Sequence, residues 1–145
     1  MPSRALSAPD YDRWSELWGQ YLEFYKHELP QEQTDLTFKR LINPDTGFHA
    51  LVIEQDGKIV GFTHFSFTNS TWSANNDCYL EDLFVDPAFR GSGFGRELIN
   101  AVKEIAKAQG SRRLYWSTHK DNQTAQRLYD SLAKQNDFLT YEIEL

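Results

Sequence analysis

Three glycines at alternate positions between two arginines, Arg90-Gly91-Ser92-Gly93-Phe94-Gly95-Arg96, constrain this chain more than any other segment. The apolar stretch before them, Cys78 to Val85, reads as a strand. After them Phe94, Leu98, Ala101, Val102 and Ile105 share one face of a helix that Gly110 is placed to end. A glycine-rich turn between strand and helix aims the helix's unpaired N–H groups and the positive end of its dipole at one point. That point suits an anion such as a phosphate, and the arginines add charge-assisted hydrogen bonds. Spacing excludes the other phosphate loops: Gly-Lys-Ser/Thr is absent, and a dinucleotide fingerprint would need glycine where Arg96 stands. Ser92 has no glycine two positions to either side, so it is not a hydrolase elbow. The plain alternative is a flexible turn with no ligand.

The rest of the chain sets this turn in a mixed α/β order. Ser3 to Ser7 reads as a short strand, and Pro9-Asp10 starts a helix. Trp14, Leu17, Trp18, Tyr21, Leu22 and Tyr25 recur at helical spacing along it, and core packing is their ordinary role. Thr34 to Ile42 is a second helix, ended by Asn43-Pro44-Asp45. Strands follow over Phe48 to Glu54 and Ile59 to Phe67, joined by a hairpin turn at Asp56-Gly57. Polar residues Thr68 to Asp77 lead into the strand Cys78 to Val85. Past the glycine helix come a strand over Arg113 to Thr118, a helix over Asn122 to Leu132 and a last strand over Phe138 to Leu145. Such alternation of strands and helices is an α/β architecture.

At 145 residues the chain has room for one domain, residues 1–145, since domains typically run roughly 100–200 residues. Ten Phe, seven Tyr and four Trp demand a folded core. With 15 Lys and Arg against 21 Asp and Glu the net charge is −6, which disfavours nucleic acid and favours a cationic partner. No run approaches the about 18 apolar residues of a membrane span, and the single cysteine, Cys78, reads as a buried thiol in a reducing cytoplasm. His27, His49, His64 and His119 are scattered without metal-ligand spacing, so no metal site is expected.

Two further places carry chemistry. Glu81 and Asp82 interrupt the apolar strand, where an unpaired charge is costly to bury. Alternation sends them to opposite faces unless a bulge intervenes, so they are expected to act separately rather than as a dyad. Glu81, partly buried, suits a general base, while an ion pair with a lysine or arginine is the structural alternative. Tyr129, on the helix that Asn122 opens, can donate a phenolic proton if it reaches a cleft, although most helical tyrosines are core residues.

The run Arg90 to Gly95 after a strand, with Asn122-x-x-Ala125-x-x-x-Tyr129 after the next, resembles the GCN5-related N-acetyltransferase superfamily along nearly the whole chain. Tyr79-Leu80-Glu81-Asp82-Leu83-Phe84-Val85 resembles the spermidine/spermine (diamine) branch, and Leu114 to Thr118 also resembles fungal histone and polyamine acetyltransferases. The resemblance implies a mostly antiparallel central sheet with a splayed central strand and flanking helices. It implies acetyl-CoA, with no metal, held along Leu83, Phe84 and Val85, by Arg90, Gly91, Ser92, Gly93, Phe94, Gly95 and Arg96, and near Asn122 and Ala125. Glu81 matches the carboxylate that takes the substrate's proton through water, and Tyr129 the acid that protonates the CoA sulfur. Asp82 and Trp72 match positions of that branch and are the implied substrate-binding residues, and the acidic Glu28 and the aromatic Tyr25 are added as candidates from their own chemistry. The partner is then a small amine such as a polyamine, with protein lysine or N-terminal amines, or a CoA-binding module without catalysis, as alternatives. A homodimer is compatible with this. Where many members have glycine four residues after the tyrosine, this chain has Ala133.

Overall fold

Asp56 and Gly57 both take positive φ, 53° and 78°, as a two-residue hairpin turn matched to strand twist requires. They join β2 (Phe48–Gln55) to β3 (Lys58–Asn69), the middle of a five-stranded sheet. The structure is a computed structural model and describes residues 3–145. Before the hairpin lie β1 (Ser3–Ala5), α1 (Tyr11–Phe24) and α2 (Gln31–Leu41). After it come β4 (Asn76–Val85), α3 (Phe94–Ala108), β5 (Leu114–Tyr115) and α4 (Gln123–Leu132). The strands run in the order β1-β2-β3-β4-β5, antiparallel except for the parallel pair β4 and β5.

Alternating side chains of this sheet build two cores. On one face Ala50, Val52, Phe62 and Phe84 pack with Trp14, Leu17 and Trp18 of α1 and Phe38 and Leu41 of α2. On the other, Leu51, Ile53, Phe65, Cys78 and Leu80 pack with Phe94, Leu98, Ile99, Val102 and Ala106 of α3, while Leu128, Tyr129 and Leu132 of α4 close the edge. Each fully buried residue of the size of Phe62 or Leu98 contributes about 1.5–3 kcal/mol. The Trp14 and Trp18 rings stack at 5.7 Å, so much of the aromatic stripe is ordinary core.

Three expectations change. The second helix begins at Gln31 rather than Thr34, because Pro30 in extended conformation (ψ 149°) already ends the preceding loop. The strand expected over Arg113 to Thr118 shrinks to Leu114–Tyr115. The last strand, Phe138 to Leu145, is absent: nothing from Ala133 onward is helix or strand, and Phe138, Leu139, Tyr141, Ile143 and Leu145 are exposed. An alternating segment becomes a strand only against an edge that pairs its backbone, and the two-residue β5 offers almost none.

Candidate active site

Glu81 is the extra residue of a bulge in β4. Leu80 pairs with Phe65 and Asp82 with His64, which leaves Glu81 without an opposite number on β3. The inserted residue reverses the alternation of the strand. Cys78 and Leu80 pack on the α3 side, yet Phe84 packs on the α1 side, and Leu83 and Val85 replace them toward α3. Asp82 therefore shares a face with Phe84, and so does Glu81, on the other side of the bulge. This corrects the expectation that the two acids face opposite ways. Glu81 is more exposed than expected, yet desolvation by the surrounding protein, then the adjacent Asp82 charge, raise its pKa, with His64 and Arg40 of α2 opposing.

Asp82 is held from two directions. Its Oδ1 accepts from the Tyr21 hydroxyl at 2.6 Å, and its Oδ2 lies 2.9 Å from Nδ1 of His64. His64 is 4% exposed and accepts on Nε2 from the indole N–H of Trp14 at 3.1 Å. Burial, then Asp82, push the Tyr21 phenol well above its ordinary pKa, so it stays a donor. Tyr21, His64 and Trp14 were not among the residues expected at the site. The available signal was an imidazole in the middle of an apolar strand, which needs partners wherever it is buried.

Along its other edge β4 opens. It pairs with β5 only at Cys78 with Leu114 and Tyr79 with Tyr115, then runs on to Val85 bonded to β3. The expected splay is therefore present: a strand edge with unmatched backbone groups leads straight to the glycine loop. There Gly91 and Gly93 take φ of 87° and 84°, the left-handed region, and a Cβ on either would meet open space. Gly93 caps α3 without a side chain, so the first-turn N–H groups point outward uncapped. Arg90 anchors the loop, its Nε donating to the Val85 carbonyl at 3.0 Å and its guanidinium lying 5.4 Å from the Phe84 ring centre. Ser92 is exposed between the glycines. Gly95 packs α3 against α4, its missing Cβ standing 3.4 Å from Leu128. Arg96 donates to the Ser131 hydroxyl at 2.9 Å and so also ties these helices together.

Tyr129 reaches this region from α4. Its ring meets Trp116 edge-on at 5.4 Å, and burial, then the Tyr25 phenol, raise its pKa. Tyr25, at the end of α1, also packs edge-on against Tyr21 at 4.9 Å and so links the phenol to the Asp82 cluster. Asn122 spends its Oδ1 on capping α4, accepting from the Ala125 N–H at 3.2 Å. One expected residue lies elsewhere. Trp72 is 79% exposed in the β3–β4 turn under the guanidinium of Arg112. Asn76, where β4 begins, is five residue steps from Glu81, about 17 Å at the usual rise. Glu28 lines a surface groove of about 930 Å³ with Leu22, Lys26 and His27. Among the described residues no group of three or more His, Cys, Asp or Glu is placed to hold a metal, and no helix is long and apolar enough to cross a membrane. Burial pushes the Cys78 thiol up to about 11, the reverse of what a nucleophile needs.

The site thus joins an anion cradle and an open strand edge to two acids on one side and a half-buried phenol on the other. Comparison with known proteins is consistent with this. The acetyltransferase (GNAT) family model matches residues 11–133. A D-amino-acid N-acetyltransferase of Saccharomyces cerevisiae is 33% identical over 141 residues, 96% of this chain and 88% of that one. A thialysine N-epsilon-acetyltransferase of Bos taurus is 35% identical over 97 residues, 61% of this chain and 56% of that one. The crystal structure of a ribosomal-protein-alanine N-acetyltransferase from Brucella melitensis biovar Abortus 2308 superposes with TM-score 0.83 over all of both chains at 21% identity, a likeness of fold.

Proposed function

The chain belongs to the GNAT acetyltransferase family, and from that premise we propose that it acetylates the primary amine of a small cationic molecule, such as a polyamine, by direct attack of the amine. As a member of the family it is an acetyl-CoA-dependent N-acetyltransferase. The site's residues fit that cosubstrate: the uncapped start of α3 and the open glycines suit a pyrophosphate, and the free edge of β4 suits an amide-bearing arm. The observation that carries the cationic acceptor is the bulge, which turns both Glu81 and Asp82 toward one face.

Acetyl-CoA supplies an acetyl group already activated as a thioester. An ammonium has no lone pair, so its proton must leave before attack; Glu81, directly or through water, takes it. Its raised pKa brings it closer to the pH at which a base works best. Tyr129, whose raised pKa keeps it protonated, gives its proton to the departing sulfur. The strand edge and loop fix the two reactants side by side, which supplies much of the rate.

An amino-acid acceptor is the second reading. Arg40 acts electrostatically on Glu81, so a cation stands near the acids for a substrate carboxylate, and the D-amino-acid and thialysine relatives take amino acids by name. The deciding experiment measures thiol release from acetyl-CoA with polyamines, amino acids of both hands, aminoglycosides and lysine peptides. Fastest turnover of a polyamine supports the first reading and of an amino acid the second. Turnover of peptides alone, or of no amine, overturns both.

A further inference from the structure

Two carboxylates side by side on one face can take different parts in a reaction when their hydrogen-bond partners differ. In this site the hydrogen bonds are unequal. Trp14 has only a donor to offer, so Nε2 of His64 must accept from it, and a ring that accepts on Nε2 carries its proton on Nδ1. That N–H points at Oδ2 of Asp82, 2.9 Å away, while the Tyr21 hydroxyl donates to Oδ1. Both oxygens of Asp82 are thus engaged as acceptors, and the carboxylate is oriented by three residues drawn from α1 and β3. Glu81, one residue earlier, receives no such pair of donors in the hydrogen bonds of the described residues.

The imidazole itself is clamped. Phe62 stacks on it at 4.6 Å, Trp18 lies at 5.4 Å and Trp14 at 6.0 Å, so the ring cannot turn to offer Asp82 its other nitrogen without breaking this packing. The other titratable or charged groups about the set are Tyr21 from α1 with Tyr25 beside it, Tyr79 and Glu81 on β4, and Arg40 from α2 acting on Glu81. A leucine at position 64 would fill a similar volume in this core but would leave the buried Trp14 indole N–H and Oδ2 of Asp82 without their partner. What an apolar residue cannot do is hold Asp82.

We propose that His64 is a positioning residue for the acetyl transfer: locked by Trp14 with its proton on Nδ1, it fixes Asp82 as the anchor for the acceptor's ammonium and leaves proton removal to Glu81. This rests on the amine-acetyltransferase reading above and deepens it, because it gives the adjacent acids different tasks through a residue that does not itself touch the substrate.

The test compares His64→Leu, which removes the donor, with His64→Asn, whose side-chain amide restores an N–H close to Nδ1. His64→Leu is expected to raise the KM of the amine by about 10- to 100-fold, the worth of one hydrogen bond to a charged group, with the KM of acetyl-CoA unchanged. His64→Asn should recover most of that loss. A second arm needs no turnover: 15N spectra of the histidine rings of the wild-type protein should show His64 neutral with its proton on Nδ1. The Nδ1 signal should move on adding the amine that is turned over fastest, or spermidine if none is turned over. An unchanged amine KM in a folded His64→Leu, an Asn variant no better than Leu, a proton found on Nε2, or an Nδ1 signal indifferent to amine would each overturn the proposal. Absence of turnover in the wild type, with the expected ring tautomer and a response to spermidine, would instead defeat the transferase reading and leave the anchoring role standing.

Discussion

Glu81 and Asp82, neighbours in sequence, lie on the same face of β4 because Glu81 is the bulged residue that has no partner opposite His64. A regular strand would have separated their carboxylates by the thickness of the sheet. The bulge instead brings the Asp82 charge to bear on Glu81 and raises its pKa in addition to desolvation by the protein around it.

Glu81→Gln should therefore change rate and stability in opposite directions. Without the base, only amine already deprotonated in solution reacts, so turnover should fall by about 10²- to 10⁴-fold near neutrality and recover partly as the pH rises toward the amine's own pKa. A carboxyl whose pKa is higher in the folded state binds more protons there than in the unfolded chain, so its contribution to stability falls as pH rises above 4.5. The Gln variant should then melt higher than the wild type at pH 7, with the gap closing in acid. Calorimetry across that range checks the sign, and an identical pH–rate profile would remove Glu81 from proton transfer.

Tyr129→Phe keeps the ring that packs edge-on against Trp116 and removes only the hydroxyl. Turnover should drop by about 10²- to 10⁴-fold while the Kd for acetyl-CoA stays as it was. Loss of acetyl-CoA affinity would mark the residue as part of the binding wall instead.

Gly93→Ala isolates the backbone of the loop. A Cβ at this position meets nothing within 4 Å, so the substitution adds strain without a clash, about 1–2 kcal/mol for holding alanine at φ 84°. If the chain relieves that strain by leaving the left-handed region, the first-turn N–H groups of α3 lose their aim. The expected result is a higher KM for acetyl-CoA with the amine's KM little altered, read from initial rates.

Asp10 joins β1 to the start of α1 through Arg4, which donates to both of its oxygens at 2.8 and 2.9 Å. Those hydrogen bonds hold its pKa down at about 2. Because the folded pKa is the lower one, the stability it adds is present above the ordinary value of 3.8 and is lost as pH falls toward 2. Asp10→Asn should lower the Tm at pH 7, and the difference from wild type should disappear by about pH 2.

Much of the architecture was legible from local signals. Asp56-Gly57 specified its hairpin because few other pairs tolerate two positive φ angles in succession. The period of Phe94, Leu98 and Val102 located α3, and the glycines before it located the anion cradle, since both are properties of a few consecutive residues. Phe138 to Leu145 shows the limit of such signals: it has a strand's alternation, but strand formation also needs a neighbouring edge, and β5 is only two residues long.

The sequence by itself determined the α/β order, the glycine cradle at the start of α3 and the presence of two acids in an apolar strand, because propensity, periodicity and turn chemistry act over a few residues. Only the tertiary structure decided where those acids point and what holds them. The bulge at Glu81 exists in the register between β4 and β3, and Asp82 is oriented by His64, 18 positions away, and Tyr21, 61 positions away. Contacts across such separations arise from packing α1 onto the sheet, so no window of sequence contains them.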